Sequence, residues 1–241
     1  LTGQNAFLAR SRQRAQRTAM AEPVHTPQSR TVLVAGASGL VGREILQGLL
    51  ADDSVAAVHT LGRRELPLQH AKLTQHIVDF KALPALPRVN EAFIALGTTI
   101  KVAGSQEAFR AVDFDAVVAV AKAAKAAGAT RLGVVSAMGA NAGSRVFYNR
   151  VKGEMEDALS GLGFGTLVFA RPSLLIGNRA ALGQPVRGGE EMGEKIAHWL
   201  GPLIPGNYRP IDVKSVARAL RETVPETTGR RIILSGDLRE F

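Results

Sequence analysis

The chain has 241 residues, of which 46% are hydrophobic, and a formal net charge of +9. Its length suits one large α/β domain, and no apolar run reaches the roughly 20 residues of a transmembrane helix, so we expect a globular protein without a membrane span. No cysteine is present, which excludes thiol nucleophiles, disulfides and thiolate metal sites.

Residues 1–29 form a polar leader in which positive charge is concentrated. Residues 1–20 hold four arginines and no acid, so they contribute +4 of the +9 and leave +5 for the rest. Such a segment is typical of a targeting peptide or of an arm that binds nucleic acid. Because it lacks a packed-core pattern, we interpret it as a flexible basic leader and expect a cytoplasmic protein without a specific nucleic-acid partner.

Strands and helices alternate along residues 30–241. Short apolar runs predict strands at 31–35, 55–61, 77–80 (within 74–80), 91–96, 131–137, 165–170 and 230–235. Helical spacing predicts helices at 40–50, 106–127, 149–159, 196–200 and 212–223. Alternation at this spacing implies parallel strands joined by right-handed crossovers. The prediction is therefore a single α/β domain, a doubly wound, mostly parallel Rossmann-like sheet with helices on both faces. The glycine-rich segment 177–210 would be a small C-terminal substrate lid.

A glycine turn, GASGLVG, joins the first strand to the first helix. Gly36, Gly39 and Gly42 fall where side chains would keep the backbone from a pyrophosphate and the helix from its strand. The GxxGxxG spacing is one residue wider than the usual dinucleotide motif, and other tight turns could use it. At the first strand-to-helix turn of an alternating chain it favours cofactor binding.

The end of the second strand distinguishes between two cofactors. NAD-binding proteins commonly place an acidic residue there for the ribose 2′-hydroxyl. Here the strand ends in TLGRRE, which places Arg63 and Arg64 where a 2′-phosphate would lie. NADP(H) is therefore favoured over NAD(H).

Tyr148 and Lys152 stand four residues apart in YNRVKGE, on one face of the predicted helix that follows the fifth strand. A lysine ammonium stabilises a neighbouring phenolate, which makes tyrosine usable as a general acid or base. Ser136, at the end of the fifth strand, could donate a hydrogen bond to a substrate carbonyl. The five histidines lack the spacing of a metal site on a helix, and we expect no metal.

Five segments together resemble the atypical short-chain dehydrogenase/reductases, the group that includes the Tat-interacting-protein oxidoreductase and its bacterial relatives. They are GASGLVG, LGTTIKVAGSQEAFRAVDFD (96–115), VVSAMGA (134–140), FYNRVKGE (147–154) and ARPSLLIG (170–177). The resemblance covers nearly all of residues 31–235. It implies a cofactor-binding Rossmann-like domain, a small-molecule substrate and a homodimer.

The resemblance also implies roles for individual residues. The cofactor's pyrophosphate would be bound by Gly36, Ser38, Gly39, Leu40 and Val41, with Gly42 in the same turn. The 2′-phosphate would be bound by Arg63 and Arg64. The adenine would be contacted by Asp79 and Phe80. Leu96, Gly97 and Thr98 would pass a ribose, and Pro172 and Ser173 would neighbour the nicotinamide. Tyr148 would be the acid/base, and Lys152 its partner and a ribose ligand.

One position departs from the family pattern. Extended members often carry two serines after the fifth strand, whereas this chain has Ser136 followed by Ala137. The main hypothesis is an NADP(H)-dependent oxidoreductase acting on a small carbonyl or alcohol. The departure motivates an alternative, an NADP(H)-binding regulatory or scaffold protein. A nucleotide-sugar epimerase or dehydratase is a third hypothesis, disfavoured by the small lid.

Overall fold

The computed structural model describes residues 29–176, residue 207 and residues 209–241. The leader up to residue 28, the predicted helix at 196–200 and almost all of the predicted lid lie outside the described residues.

Seven parallel strands form the main sheet. Along the chain the strands are β1 (Arg30–Ala35), β2 (Val55–Gly62), β3 (Leu73–Ile77), β4 (Glu91–Ile94), β5 (Arg131–Val135), β6 (Thr166–Arg171), β7 (Leu175–Ile176), β8 (Ile211–Asp212) and β9 (Gly229–Leu234). The order in the main sheet is β3-β2-β1-β4-β5-β6-β9, and β7 pairs with β8 alone. The order reverses between β1 and β4, where the carboxyl ends of parallel strands form a ligand crevice.

Helices connect the strands. They are α1 (Leu40–Leu50), α2 (Ile100–Ala103), α3 (Gln106–Arg110), α4 (Val117–Ala126), α5 (Phe147–Ser160) and α6 (Val213–Glu226). A π-helical turn, Ala111–Ala116, joins α3 to α4, so the predicted long helix is continuous but locally widened. Gly128, with φ of +100°, follows its end, where glycine adopts a left-handed backbone at little cost.

Two hydrophobic cores lie on opposite faces of the sheet. One packs α1 and α6 through residues such as Ile45, Leu49 and Leu220; the other packs α4 and α5 through residues such as Val120 and Met155. Apolar helix faces cover both sides of the central strands β1, β4, β5 and β6, as parallel strands require, while β3 and the first half of β9 at the two edges are partly exposed. The predicted doubly wound α/β fold is confirmed.

The third strand was predicted at the wrong residues. The apolar pattern favours 77–80, but β3 ends at Ile77. The Asp79 carboxylate accepts a hydrogen bond from the backbone N–H of Lys81 at 3.0 Å, and the Asp79 carbonyl accepts one from Ala82. This local turn competes with strand pairing and ends the strand.

Candidate active site

The glycine turn brings α1 close to β1 and β4. Gly36 has φ of +90°, and a Cβ there would lie 2.5 Å from the Ala95 carbonyl oxygen. A Cβ on Gly42 would lie 2.1 Å from the Gly36 carbonyl oxygen, so the helix can start here only with glycine. A Cβ on Gly39 would meet no atom closer than 3.3 Å. The fold therefore requires Gly36 and Gly42, whereas a Cβ at Gly39 would make one tight contact, which a small shift of the Gly36 carbonyl would relieve.

The start of α1 is free of a side-chain cap. Gly39 occupies the cap position, and the first turn contains no acidic residue. Helix geometry leaves the N–H groups of Leu40 and Val41 without intrahelical acceptors, which favours a phosphate there. The Val41 side chain is buried in the core, so this residue can offer only its backbone; Ser38 is exposed at the tip of the turn.

Arg63 and Arg64 lie just beyond β2, next to the glycine turn, because Leu61 pairs with Ala35 of β1. Both are exposed and form no ion pair with another described residue. Asp79 and Phe80 follow the neighbouring strand β3. Phe80 packs partly against the core, and the exposed Asp79 is engaged in its own turn.

Lys152 is held by Asp113. The lysine Nζ lies 2.8 Å from Asp113 Oδ1, and the two side chains are only 4% and 1% exposed. Asp113 lies in the π-helical turn, which directs it toward α5. Its other oxygen, Oδ2, accepts a hydrogen bond from the backbone N–H of Thr98 at 2.8 Å. One carboxylate thus links the loop after β4 to the lysine of the predicted pair.

Burial and charge act in opposite directions on Lys152. Burial lowers the pKa of its ammonium, but the Asp113 carboxylate, with smaller contributions from Tyr148 and Glu156, more than reverses this, so the pKa is raised. Lys152 therefore stays positively charged across the neutral range.

Tyr148 lies in the first turn of α5, one turn before Lys152. It is partly exposed, and its ring packs against Phe109 with centroids 5.5 Å apart. Its hydroxyl has no hydrogen-bond partner within the described part of the chain. The hydroxyl is thus available to a ligand, beside a fixed cation.

The loop after β4 passes over this pair. Gly97 is exposed, and a Cβ there would lie 3.4 Å from Asp113 Oδ1 and 4.0 Å from Lys152 Nζ. Leu96 is partly buried against the core. Thr99 caps α2 by accepting a hydrogen bond from the Val102 N–H at 3.2 Å, so its role is local.

Ser136 is engaged elsewhere. Its Oγ lies 2.5 Å from Glu156 Oε1, and the residue is 4% exposed. The next residue, Ala137, is also buried and offers no hydroxyl. The hydroxyl predicted to face a substrate therefore faces α5.

Pro172 and Ser173 continue the crevice after β6. The Pro172 carbonyl accepts a hydrogen bond from the Met138 N–H at 3.0 Å. Ser173 is tied to the end of β9, since its N–H donates to Ser235 Oγ and its hydroxyl donates to the Arg209 carbonyl. These contacts hold the β5, β6 and β9 ends together.

Asp113 and Glu156 were missed as site residues by the sequence predictions. Asp113 lies inside the predicted helix 106–127, where a carboxylate is as consistent with an exposed helix face as with a hydrogen bond in the site; the structure shows it buried. Glu156 carried a usable signal, because Tyr148, Lys152 and Glu156 follow one another at four-residue intervals and so share a face of α5.

Metal ligands and membrane spans can be assessed for the described residues, which are 29–176, 207 and 209–241. No group of three or more candidate metal ligands converges in these ranges, and no helix there has the length and apolarity to cross a bilayer. His59 and His76 instead pair with each other, their ring nitrogens 3.1 Å apart between β2 and β3. Burial, and secondly His76, lower the pKa of His59.

Solved structures share this fold. An oxidoreductase of the short-chain dehydrogenase/reductase family from Burkholderia thailandensis superposes with a TM-score of 0.65 at 20% identity, covering 87% of this chain and 93% of that chain. MoeE5, solved in complex with UDP-glucose and NAD, superposes with a TM-score of 0.63 at 18% identity, covering 84% and 75%. The fold is that of the NAD(P)-binding short-chain dehydrogenase/reductases.

Two curated relatives place the chain more closely. The protein HTATIP2 of Rattus norvegicus is 33% identical over 200 residues, 80% of each chain. The mitochondrial protein FMP52 of Candida albicans is 30% identical over 222 residues, 86% of this chain and 95% of that protein. No protein-family model matches the sequence. The chain belongs to the family of HTATIP2 and FMP52, an atypical, NAD(P)-binding and oxidoreductase-type branch of the short-chain dehydrogenase/reductases.

The comparison corrects the predicted localisation. Relatives at 30–36% identity from several fungi, including Candida albicans, Eremothecium gossypii and Emericella nidulans, are named as mitochondrial FMP52 proteins. These names contradict the predicted localisation, and the cytoplasmic prediction was wrong. The absence of cysteine fits a reducing cytosol but does not argue against another compartment.

Proposed function

We propose that the protein is an NADP(H)-dependent oxidoreductase that interconverts a small carbonyl compound and its alcohol. The observation that carries the proposal is the pair Tyr148 and Lys152 on α5, with the lysine ammonium fixed 2.8 Å from Asp113 and the tyrosine hydroxyl unengaged by described residues. The pair follows the carboxyl end of β5, at the edge of the sheet where the glycine turn follows β1.

The described residues fit a dinucleotide. Gly39 is less constrained by packing than Gly36 and Gly42, and the uncapped start of α1 offers backbone N–H groups and a positive dipole to a pyrophosphate. Leu96, Gly97 and Thr98 would border a ribose, and Pro172 and Ser173 the nicotinamide. The nicotinamide, when bound, would supply or accept the hydride.

The proton would move through Tyr148. In the reductive direction its hydroxyl would donate a hydrogen bond and then the proton to the substrate oxygen, leaving a phenolate beside the Lys152 ammonium. A buried cation at that place stabilises the phenolate and favours proton release. Asp113 would keep Lys152 charged and in position. The hydrogen bond that Asp113 accepts from the Thr98 N–H would hold the loop after β4, which would border the ribose, in place against α5.

The preference for NADP(H) is proposed from Arg63 and Arg64. Two exposed guanidinium groups without ion-pair partners among the described residues, directly after β2, suit the geometry and charge of a 2′-phosphate. Asp79 and Phe80, after β3, would border the adenine.

A fluorescence titration of NADPH against NADH tests this. Wild-type protein should bind NADPH at least tenfold more tightly than NADH, since one charge-assisted hydrogen bond contributes about 1.5–3 kcal/mol and tenfold corresponds to about 1.4 kcal/mol. Arg63→Gln and Arg64→Gln should weaken NADPH binding and leave NADH binding within error. Arg88→Gln, an exposed arginine before β4 at the opposite edge of the sheet, is the control. Equal affinity for both cofactors would refute the preference.

A second candidate function is favoured by the state of Ser136. Because its hydroxyl is engaged by Glu156 and the next residue is Ala137, the chain lacks a serine donor that faces a substrate from this loop. A regulatory protein that binds NADP(H) without turnover would have this property. Tight NADPH binding with no hydride transfer to a broad panel of aldehydes and ketones would favour it.

A further inference from the structure

Glu156 lies at the centre of a buried ionic cluster behind the proposed catalytic pair. It is one turn beyond Lys152 on α5, and its side chain is 1% exposed. Its Oε1 accepts hydrogen bonds from Ser136 Oγ at 2.5 Å and Arg171 Nε at 3.0 Å, and its Oε2 accepts one from Arg171 Nη2 at 2.6 Å. Arg230 brings a second cation, with Nη2 3.7 Å from Oε2.

The partners of Glu156 come from three adjacent strands. Ser136 directly follows β5, Arg171 is the last residue of β6, and Arg230 belongs to β9. The Glu156 carboxylate therefore connects α5 to three of the seven strands of the main sheet. A bidentate, charge-assisted pair has a fixed geometry, and removal of one member of a buried pair is costly because it leaves an uncompensated charge.

We propose that Glu156 is a positioning residue that sets the place of Tyr148 and Lys152 and, by accepting a hydrogen bond from Ser136 Oγ, removes that serine from substrate binding. The inference depends on the proposed oxidoreductase function. The three side chains share one face of α5, so anchoring Glu156 fixes the rotation of that face. A serine hydroxyl can donate one hydrogen bond, and while it donates to the carboxylate its oxygen can only accept further hydrogen bonds. Tyr148 is then the donor to the substrate oxygen.

Ser136 could donate a hydrogen bond to the substrate or could only help to hold Glu156, and these two roles predict different losses of kcat when its hydroxyl is removed. Loss of a donor to a developing oxyanion lowers kcat by about 10²–10³-fold. Loss of a contact that only helps to hold Glu156 should cost less, because both hydrogen bonds from Arg171 remain. Glu156→Gln should cost more, on the order of 10²-fold in kcat, since misplacement of catalytic groups by about 1 Å has that effect.

The experiment compares kcat, and NADPH affinity by fluorescence, in the wild type and three variants. The assay is NADPH oxidation with a panel of simple aldehydes and ketones. We expect Glu156→Gln to lose more kcat than Ser136→Ala, with NADPH affinity within about threefold, which is less than 1 kcal/mol. Glu154→Gln, a partly exposed carboxylate on the same helix, is the matched control. Ser136→Ala losing as much as Glu156→Gln, or Glu156→Gln keeping wild-type kcat, would overturn the inference.

A readout without substrate separates this inference from the proposed function. If wild-type protein turns over no substrate, or Tyr148→Phe keeps full turnover, the proposed function fails. Amide hydrogen exchange over residues 147–152 then decides the role of Glu156. Faster exchange there in Glu156→Gln than in Glu154→Gln supports positioning, and equal exchange in the two variants contradicts it.

Discussion

Asp113 determines the charge state of Lys152 because its carboxylate is 2.8 Å away and both side chains are buried. Without it, burial would be opposed only by the smaller contributions of Tyr148 and Glu156, and the pKa of the ammonium would fall. In the wild type the raised pKa stabilises the folded state at pH values below the unfolded pKa of 10.5, and this contribution is lost only as pH rises through the folded value.

Asp113→Asn should therefore lose activity on the alkaline side at lower pH than the wild type. It should also be less stable by about 3–5 kcal/mol, the cost of leaving a buried charge unpaired. Asp115→Asn, an exposed carboxylate in the same π-helical turn, is the control and should retain the wild-type profile. The measurement is kcat/KM against pH together with urea unfolding. An alkaline limb of Asp113→Asn that coincides with the wild type would contradict the assignment.

At the level of elements, two glycines of the glycine turn differ in how tightly the fold constrains them. A Cβ on Gly42 would lie 2.1 Å from a backbone oxygen, whereas one on Gly39 would lie 3.3 Å from the same atom, in a residue with φ of −86° that any side chain can adopt. Gly42 thus serves packing, whereas contact with a phosphate is the role proposed for Gly39.

Gly42→Ala should destabilise the protein by about 1–3 kcal/mol or more, the usual cost of overpacking. Gly39→Ala should change stability by less than about 1 kcal/mol, since the neighbouring oxygen need shift only slightly, but weaken NADPH binding at least tenfold. Thermal unfolding and a fluorescence titration on both variants check this. Gly39→Ala binding NADPH like the wild type would contradict a phosphate role for the turn.

Local sequence determined the elements well where one periodicity dominated. The apolar spacing of Ile45, Leu46 and Leu49 predicts α1 with its observed bounds, and Asp212 marks the start of α6, where its carboxylate accepts a hydrogen bond from the Lys214 N–H. The two-residue strands β7 and β8 escape prediction because they exist only through pairing between positions 36 residues apart.

The site residues follow the same rule: those that form a local sequence pattern can be predicted, and those that depend on long-range contacts cannot. Tyr148, Lys152 and the glycine turn carry local spacing, so the sequence alone is enough to propose them as site residues. The role of Asp113 depends on a π-helical turn that rotates it toward Lys152, and the partners of Glu156 are 15 to 74 residues away in the chain. Contacts of this kind follow from strand order and not from periodicity.

At the scale of the whole molecule, a third buried carboxylate, besides Asp113 and Glu156, lies at the amino edge of the sheet, opposite the proposed site. Glu91, at the start of β4, is fully buried, and its Oε1 lies 3.3 Å from Arg30 Nε and 3.4 Å from Arg131 Nη1. Burial raises the pKa of Glu91, and the two arginines only partly offset this. The folded state therefore holds this proton more tightly than the unfolded chain does.

The stability conferred by Glu91 should fall as pH rises from 4.5 through its folded pKa. The unfolding free energy of the wild type minus that of Glu91→Gln should thus decrease across this range, as measured by urea unfolding at pH 4.5 to 8. NADPH affinity, a property of the opposite edge, should stay the same in both proteins. A difference that grows with pH would contradict the burial effect.

The homodimer implied by the family resemblance stays a prediction, which sedimentation of the full chain would examine. It does not affect the proposed chemistry, since Tyr148, Lys152 and Asp113 all come from one chain.

The central claim is that Tyr148 moves a proton while hydride passes between nicotinamide and a carbonyl carbon. Its most direct test is single-turnover oxidation of bound NADPH by a panel of aldehydes and ketones, in wild type and in Tyr148→Phe. We predict hydride transfer in the wild type and a fall of about 10²–10⁴-fold in Tyr148→Phe, the usual contribution of a general acid. Equal single-turnover rates in the two proteins would contradict it.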